Sequence, residues 1–361
     1  EPLMPADEEW PDVSLTRVVT RAPGDMPVEL ASDRRTVVLV GDCTPEVGDR
    51  ARLFAEHARV PLLSEPSGNA RVAGAVRTYR VLLDGELGRR IERVVLFGHP
   101  TLSRPVTRLL ARAELELVVV ATGAQWVDPG LNADVVADAV TCGVGDPSWL
   151  AEWTEADQAV SAGLDRLLGA ELSGLTIARV VWESLGVADS LVIGSSHPIR
   201  DLDLAPIGQR MPRVYANRGL SGIDGTVATA AGIALVNGPT TLLLGDLTLL
   251  HDVGGLLVGP LERRPLLRIV VVNDDGGSIF HILEQGADEH ADSFERVFGT
   301  PTGVAIEPLA AAYGWDYQQV GTLAELRELL ARPIAGREIV EVRVSRAGRR
   351  ELAARIADLH L

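Results

Sequence analysis

The 361 residues are 46% hydrophobic and 23% charged, enough for two cores, since one domain usually runs to about 100–200 residues. Fifty Asp and Glu against 34 basic residues leave a net charge of −16, which repels a nucleic-acid backbone and an anionic membrane surface alike, so no nucleic-acid partner is expected. Every basic residue is an arginine; the lack of lysine excludes a Walker A lysine, a pyridoxal phosphate Schiff base and a lysine-dependent aldolase.

Residues 1–35, with five prolines and mixed charges, have no sustained period and are expected to form an extended linker. They carry no signal pattern, and no apolar run nears the roughly 20 residues that span a bilayer, so a cytoplasmic protein is expected. Short apolar runs then end in Gly, Asp, Asn or His: 36–42 (TVVLVGD), 93–99 (RVVLFGH), 116–122 (ELVVVAT), 190–196 (SLVIGSS), 240–246 (TTLLLGD), 268–274 (RIVVVND) and 337–344. Continuous rather than alternating hydrophobicity predicts strands covered on both faces, hence an α/β protein of two doubly wound parallel-sheet domains. Arg71, Arg77, Arg80, Arg89, Arg90 and Arg104 form an arginine-rich stretch that reads as a solvated face or as an anion site. Cys43 and Cys142, far apart, make no disulfide framework and no four-ligand zinc site; each reads as a small buried apolar residue. A Trp-rich amphipathic helix is expected over 148–171, and the boundary near residue 170 divides a middle domain, 36–169, from a second domain, 170–361.

Ligands of open parallel sheets sit beyond the carboxyl ends of the strands, so the polar residues closing those runs are where chemistry is expected. Gly245-Asp246-Leu247-Thr248 closes one strand and Asn273-Asp274-Asp275-Gly276-Gly277 another, with a helix-like stretch, 252–262, between them. A right-handed crossover brings Asp246 and Asp274 to one sheet edge. Paired carboxylates there suit a hard divalent cation holding phosphates, with backbone N–H groups after Gly245 and around Gly276 and Gly277 as further donors; by spacing alone, ordinary Asp- and Gly-ended loops remain the other reading. His99, His197, His251 and His281 read as loop or cap residues, since nothing in the sequence pairs them.

These motifs resemble the thiamine diphosphate (ThDP) enzymes. The strings SSHPIRD (195–201), YANRGLSGIDG (215–225), GDLT (245–248) and NDDGGSIF (273–280) are similar, in order and content, to the 2-succinyl-5-enolpyruvyl-6-hydroxy-3-cyclohexene-1-carboxylate (SEPHCHC) synthases of menaquinone biosynthesis. The resemblance is strong over 190–285, moderate over the rest of the second half and at fold level over 36–165. It implies a homodimeric or homotetrameric transferase that decarboxylates 2-oxoglutarate and adds the resulting four-carbon unit to isochorismate. It also implies Mg²⁺ (or Mn²⁺) on Asp246, Asp274 and the Gly276 carbonyl, and cofactor contacts from Ser195, Ile223, Gly245, Leu247, Thr248, Gly277 and Ser278. Substrate contacts would come from Ser196, Arg200, Arg218 and Arg104, with Ile279, Phe280 and Leu283 as an apolar wall; planar guanidinium forks suit the two acidic substrates. Two departures stand out. Asp274 occupies a position that commonly carries Asn, and no pyrimidine-binding domain, which in the family supplies an activating glutamate, precedes Glu1; the chain is therefore expected to be incomplete and inactive alone. The rival readings are an acetolactate-type synthase or another ThDP-dependent 2-oxo acid decarboxylase, which has little use for both Arg200 and Arg218, and a non-catalytic regulatory module of the same fold.

Overall fold

The computed structural model describes residues 17–19, 26–121, 123, 126–128 and 130–360. In the first part of the chain the strands are β1 (Arg17–Val19), β2 (Val28–Leu30), β3 (Thr36–Val40), β4 (Leu62–Ser64), β5 (Arg93–Phe97), β6 (Glu116–Val120), β7 (Val135–Ala137) and β8 (Val140–Cys142). The second part contains β9 (Ser190–Ile193), β10 (Arg213–Ala216), β11 (Thr240–Gly245), β12 (Leu267–Asn273), β13 (Asp316–Val320) and β14 (Arg337–Arg343). One sheet has the order β1-β7-β6-β5-β3-β4, the other β10-β9-β11-β12-β14-β13, and β2 pairs with β8; every pairing is parallel.

The unbroken apolar runs explain this architecture. In the first sheet Val37, Leu39, Val94 and Leu96 face one core and Val38, Val40, Val95 and Phe97 the other. In the second, Leu243 and Val270 face one core and Leu242, Leu244, Ile269 and Val271 the other. A strand buried on both faces needs apolar residues at every position, and these have them.

All seven anticipated runs are strands. β4, β7 and β8 escaped notice because three residues are too few to show a period, and β13 because its Asp316, Gln318 and Gln319 are exposed on an edge strand. Within the expected linker, residues 1–16 and 20–25 lie outside the described residues, while β1 joins the first sheet and β2 pairs with β8; the segment is not linker throughout. The helix expected over 252–262 does not form. The helix Asp246–His251 gives way to a 3-10 turn at Val253–Leu256, where a Cβ on Gly255 would lie 2.8 Å from the Ala228 nitrogen. Cys142 is buried, Cys43 half-buried, and both are free thiols.

The arginine-rich stretch is neither a solvated face nor an open anion site at Arg71, Arg77 and Arg80. Arg71 is 0% exposed and donates to the Ala205 carbonyl at 2.8 Å, with Asp203 at 3.7 Å. Arg77 donates to the Leu204 carbonyl and clamps Asp165; Arg80 donates to the Arg200 carbonyl at 2.8 Å. Tyr79 donates its hydroxyl to Asp203. These groups satisfy carbonyls within and just beyond the short helix His197–Leu202 and so tie the two sheets' layers together. The helix Pro147–Leu168 buries Trp149, Trp153, Leu164 and Leu168 against the first sheet, and the final helix, Arg349–Ala357, returns to bury Ile356 in that same core.

Candidate active site

The strand order of the second sheet reverses between β9 and β11, which opens a crevice beyond their carboxyl ends. A cavity of about 590 Å³ lies there. Its walls come from the segments after five strands: Ser195, Ser196 and Arg200 after β9; Arg218 and Ile223 after β10; Asp246, Leu247 and Thr248, with Gly245, at the end of β11; Asp274 and Gly276 to Phe280, then Leu283, after β12; and Val344 to Arg349 after β14.

Asp246 is 4% exposed, and its Oδ2 is buried with no hydrogen-bond partner. Burial, then the charge of Asp274, pushes its carboxyl up to about 7. Burial likewise raises Asp274 to about 6, against the pull of the Ser278 hydroxyl and of Arg346 and Arg349. A buried acid with an orphaned oxygen beside a half-buried one is a pair that a cation would relieve. Among the described residues no group of three or more His, Cys, Asp or Glu is arranged to hold a metal; a cation here would take two carboxylates, a carbonyl and oxygens from the molecule it bridges, which is Mg²⁺ chemistry. The donor set fits that ion.

The backbone around the pair is tight. Gly276 has φ 143°, and a Cβ there would lie 2.0 Å from the Gly299 carbonyl oxygen; only glycine can occupy it. The Gly277 amide donates to that same carbonyl at 2.7 Å, so this amide, expected as a phosphate donor, is already committed. Ser196 stands at φ 75°, a strained conformation for a serine at a cavity wall, and its carbonyl accepts from Arg200 Nη1 at 2.8 Å.

Arg218, 3% exposed, donates from Nε to Thr101 Oγ1 at 2.8 Å, from Nη2 to the Thr101 carbonyl and from Nη1 to Ser195 Oγ, both at 3.2 Å. Burial, then the charges of Arg218 and Arg80, lowers the Arg200 pKa. Two guanidiniums, one buried and one half-buried, thus repel each other at one wall. Ile279, Phe280 and Leu283 line the cavity from a 3-10 turn, Ser278–Ile282, and its end rather than from an ordinary core helix; each is half-buried. Arg104 stands apart: its guanidinium forks onto Glu284 at 2.6 and 2.9 Å, outside the cavity lining, with both side chains more than 60% exposed.

The sequence reading missed Thr101, Arg346, Arg349 and the helix start at Ser173 and Gly174, all in the wall. Arg346 and Arg349 follow the end of β14, so the rule that located Asp246 and Asp274 would have found them. Arg349 donates to Asp201 and His197 Nδ1, which places His197 as a buried strut, in line with the loop role expected for it.

No family model matches the chain. Curated relatives do: a SEPHCHC synthase of a Nocardioides species is 49% identical over 99% of this chain and 70% of its own length. Those of Kineococcus radiotolerans (47%, 99% of this chain and 66% of the relative) and an Arthrobacter species (44%, 99% and 63%) are similar. The chain thus spans about two thirds of the length of these relatives. Identity of this extent, with the acid pair and the guanidinium wall on one cavity, makes the chain a member of the SEPHCHC synthase family.

Proposed function

We propose that this chain carries the metal, diphosphate and substrate-carboxylate sites of a ThDP-dependent carboligase that decarboxylates 2-oxoglutarate and transfers the four-carbon remainder to isochorismate. The observation that carries this reading is the pairing, in one cavity, of the acids Asp246, buried with an orphaned Oδ2, and Asp274, half-buried, with two arginines, Arg218 buried and Arg200 half-buried. Asp246, Asp274 and the Gly276 carbonyl hold Mg²⁺. Leu247, Thr248 and Ser278 would hold the diphosphate and Ile223 the rest of the cofactor, all four lining the same cavity. Bound thiamine diphosphate supplies the electron sink for decarboxylation that a lysine-free protein lacks.

Around it, this chain's residues bind and orient. Arg200 and Arg218 take substrate carboxylates, an interaction strengthened by the burial of Arg218 and the half-burial of Arg200. Ser196, held by its strained backbone, adds a hydroxyl beside them. Ile279, Phe280 and Leu283 keep water from the reacting carbon. Arg104 joins the substrate only on leaving Glu284. The remaining length of the relatives leaves room for the pyrimidine-binding domain that would complete the site, in a homodimer or homotetramer.

The test is substrate preference in the full-length enzyme. 2-Oxoglutarate should be favoured over pyruvate, and Arg218→Lys should lower kcat/KM by about tenfold to a few hundredfold, the loss of a charged fork worth about 1.5–3 kcal/mol. ThDP and Mg²⁺ affinity should hold. Preference for pyruvate, or full efficiency in the variant, would favour the acetolactate-type reading.

A further inference from the structure

Arg218 reaches out of its own sheet unit into the first one, and its partner there rests on a buried acid. Glu65 follows β4, is 1% exposed and does not line the cavity. Its carboxylate accepts the Thr101 amide at 3.1 Å from each oxygen and the Leu102 amide at 2.9 Å. Those bonds pin the backbone at Thr101, whose hydroxyl and carbonyl are the two acceptors of Arg218 Nε and Nη2. With Ser195 Oγ taking one Nη1 proton, three of the five guanidinium N–H groups are committed. One remains on each terminal nitrogen, the pair a bidentate carboxylate needs.

We propose that Glu65 is a positioning residue: through the Thr101 and Leu102 amides it fixes the plane of the Arg218 fork, so that the first sheet unit sets how the substrate's carboxylate is received. This rests on the reading of Arg218 given above. A carboxylate this deep has no use as a surface charge, and among the described residues it makes no ion pair within 4 Å of its own; its side-chain hydrogen bonds go to the amides of Thr101 and Leu102. Burial lowers the Arg218 pKa, and Glu65 is the largest charge opposing that, ahead of Asp42. Burial, joined by the charge of Asp203, raises Glu65 to about 8 against the pull of the Thr101 and Leu102 amides and of Arg218.

The experiment is a double-mutant cycle in the full-length enzyme with Glu65→Gln, Arg218→Lys and both together, following initial rates with 2-oxoglutarate and isochorismate and the thermal midpoint. Glutamine keeps the shape but turns an NH₂ toward at least one of the amides. The expected result is a rise of about tenfold in KM for the substrate that Arg218 holds, with kcat changed less and ThDP affinity unchanged. The double variant should be within about twofold of Arg218→Lys, because a displaced fork has nothing further to lose. Losses that multiply, or a Glu65→Gln enzyme with unchanged KM beside an impaired Arg218→Lys, overturn this inference while leaving the reading of Arg218 intact. Wild-type kinetics in Arg218→Lys would remove both. Where Glu65→Gln fails to fold, Glu65→Asp, which keeps the carboxylate but draws it back from the two amides, takes its place in the same cycle with the same expected coupling.

Discussion

Replacing Asp246 by asparagine should stabilise the metal-free protein and at the same time remove its response to Mg²⁺ and ThDP. The folded state lifts the Asp246 carboxyl from 3.8 to about 7 and Asp274 from 3.8 to about 6. A raised carboxyl pKa means that the folded chain holds the proton more tightly than the unfolded one. Its contribution to stability is therefore complete below about pH 4 and is lost as the pH climbs through about 6 to 7. For Asp246 the full shift corresponds to about 4 kcal/mol; part of it is mutual with Asp274, so removing one charge also relieves the other. At pH 7.5 in EDTA, Asp246→Asn should thus unfold about 2–4 kcal/mol later than the wild type, seen as a higher midpoint in denaturant or a Tm raised by several degrees. At pH 4 the two should converge. Adding Mg²⁺ and ThDP at about 1,000 times their Kd should reverse the order, because such a ligand adds about 4.1 kcal/mol to the protein that binds it, and the asparagine variant would lack the anionic oxygen proposed to anchor the cation. Calorimetric titration of ThDP with and without Mg²⁺ separates binding from stability. An asparagine variant that is less stable than wild type in EDTA at pH 7.5, or one that gains as much from Mg²⁺ and ThDP, would refute the account of the acid pair.

Gly276→Ala should abolish Mg²⁺-dependent ThDP binding and lower stability by more than about 2 kcal/mol, since its Cβ would stand 2.0 Å from the Gly299 oxygen at φ 143°; near-normal ThDP affinity by calorimetry would contradict this. Asp203→Ala should cost about 3–5 kcal/mol in urea unfolding, because it strands the Arg71 guanidinium in a wholly buried site and removes the acceptor of Tyr79; a loss under about 1 kcal/mol would show that carbonyls alone satisfy Arg71.

The sheet architecture was legible because parallel strands buried on both faces leave continuous apolar runs, and Val37 to Val40 or Ile269 to Val272 have no other economical reading. The acid pair was legible for a related reason: a short loop at a strand's carboxyl end must use Gly and Asp, so GDLT and NDDGG stand out against their surroundings. Arg71, Arg77 and Arg80 were opaque. A guanidinium that serves a solvated face and one that caps buried carbonyls have the same local sequence context, and only the tertiary partners Ala205, Leu204 and the Arg200 carbonyl tell them apart. Glu65 was opaque too. It ends a strand of three residues, too short to register as one, so the rule that polar residues beyond strand ends merit scrutiny had no strand to act on.

These differences in legibility follow a physical division within the cavity. The acid side is built from one sheet alone, by the ends of β11 and β12, which lie side by side in register from Thr240 opposite Leu267 to Gly245 opposite Val272, and the motif is correspondingly compact. The arginine side is built across two units. Arg218 is oriented by Thr101, Arg200 has its backbone carbonyl held by Arg80, and the helix carrying Arg200 runs into the network of Asp203, Tyr79 and Arg71. A lysine-free chain suits this arrangement, since a guanidinium can serve several carbonyls and carboxylates at once where an ammonium offers a compact, strongly hydrated charge. The groups that would choose the substrate are therefore set by how the two units meet, whereas the groups that would hold the cation depend on the packing of a single sheet edge.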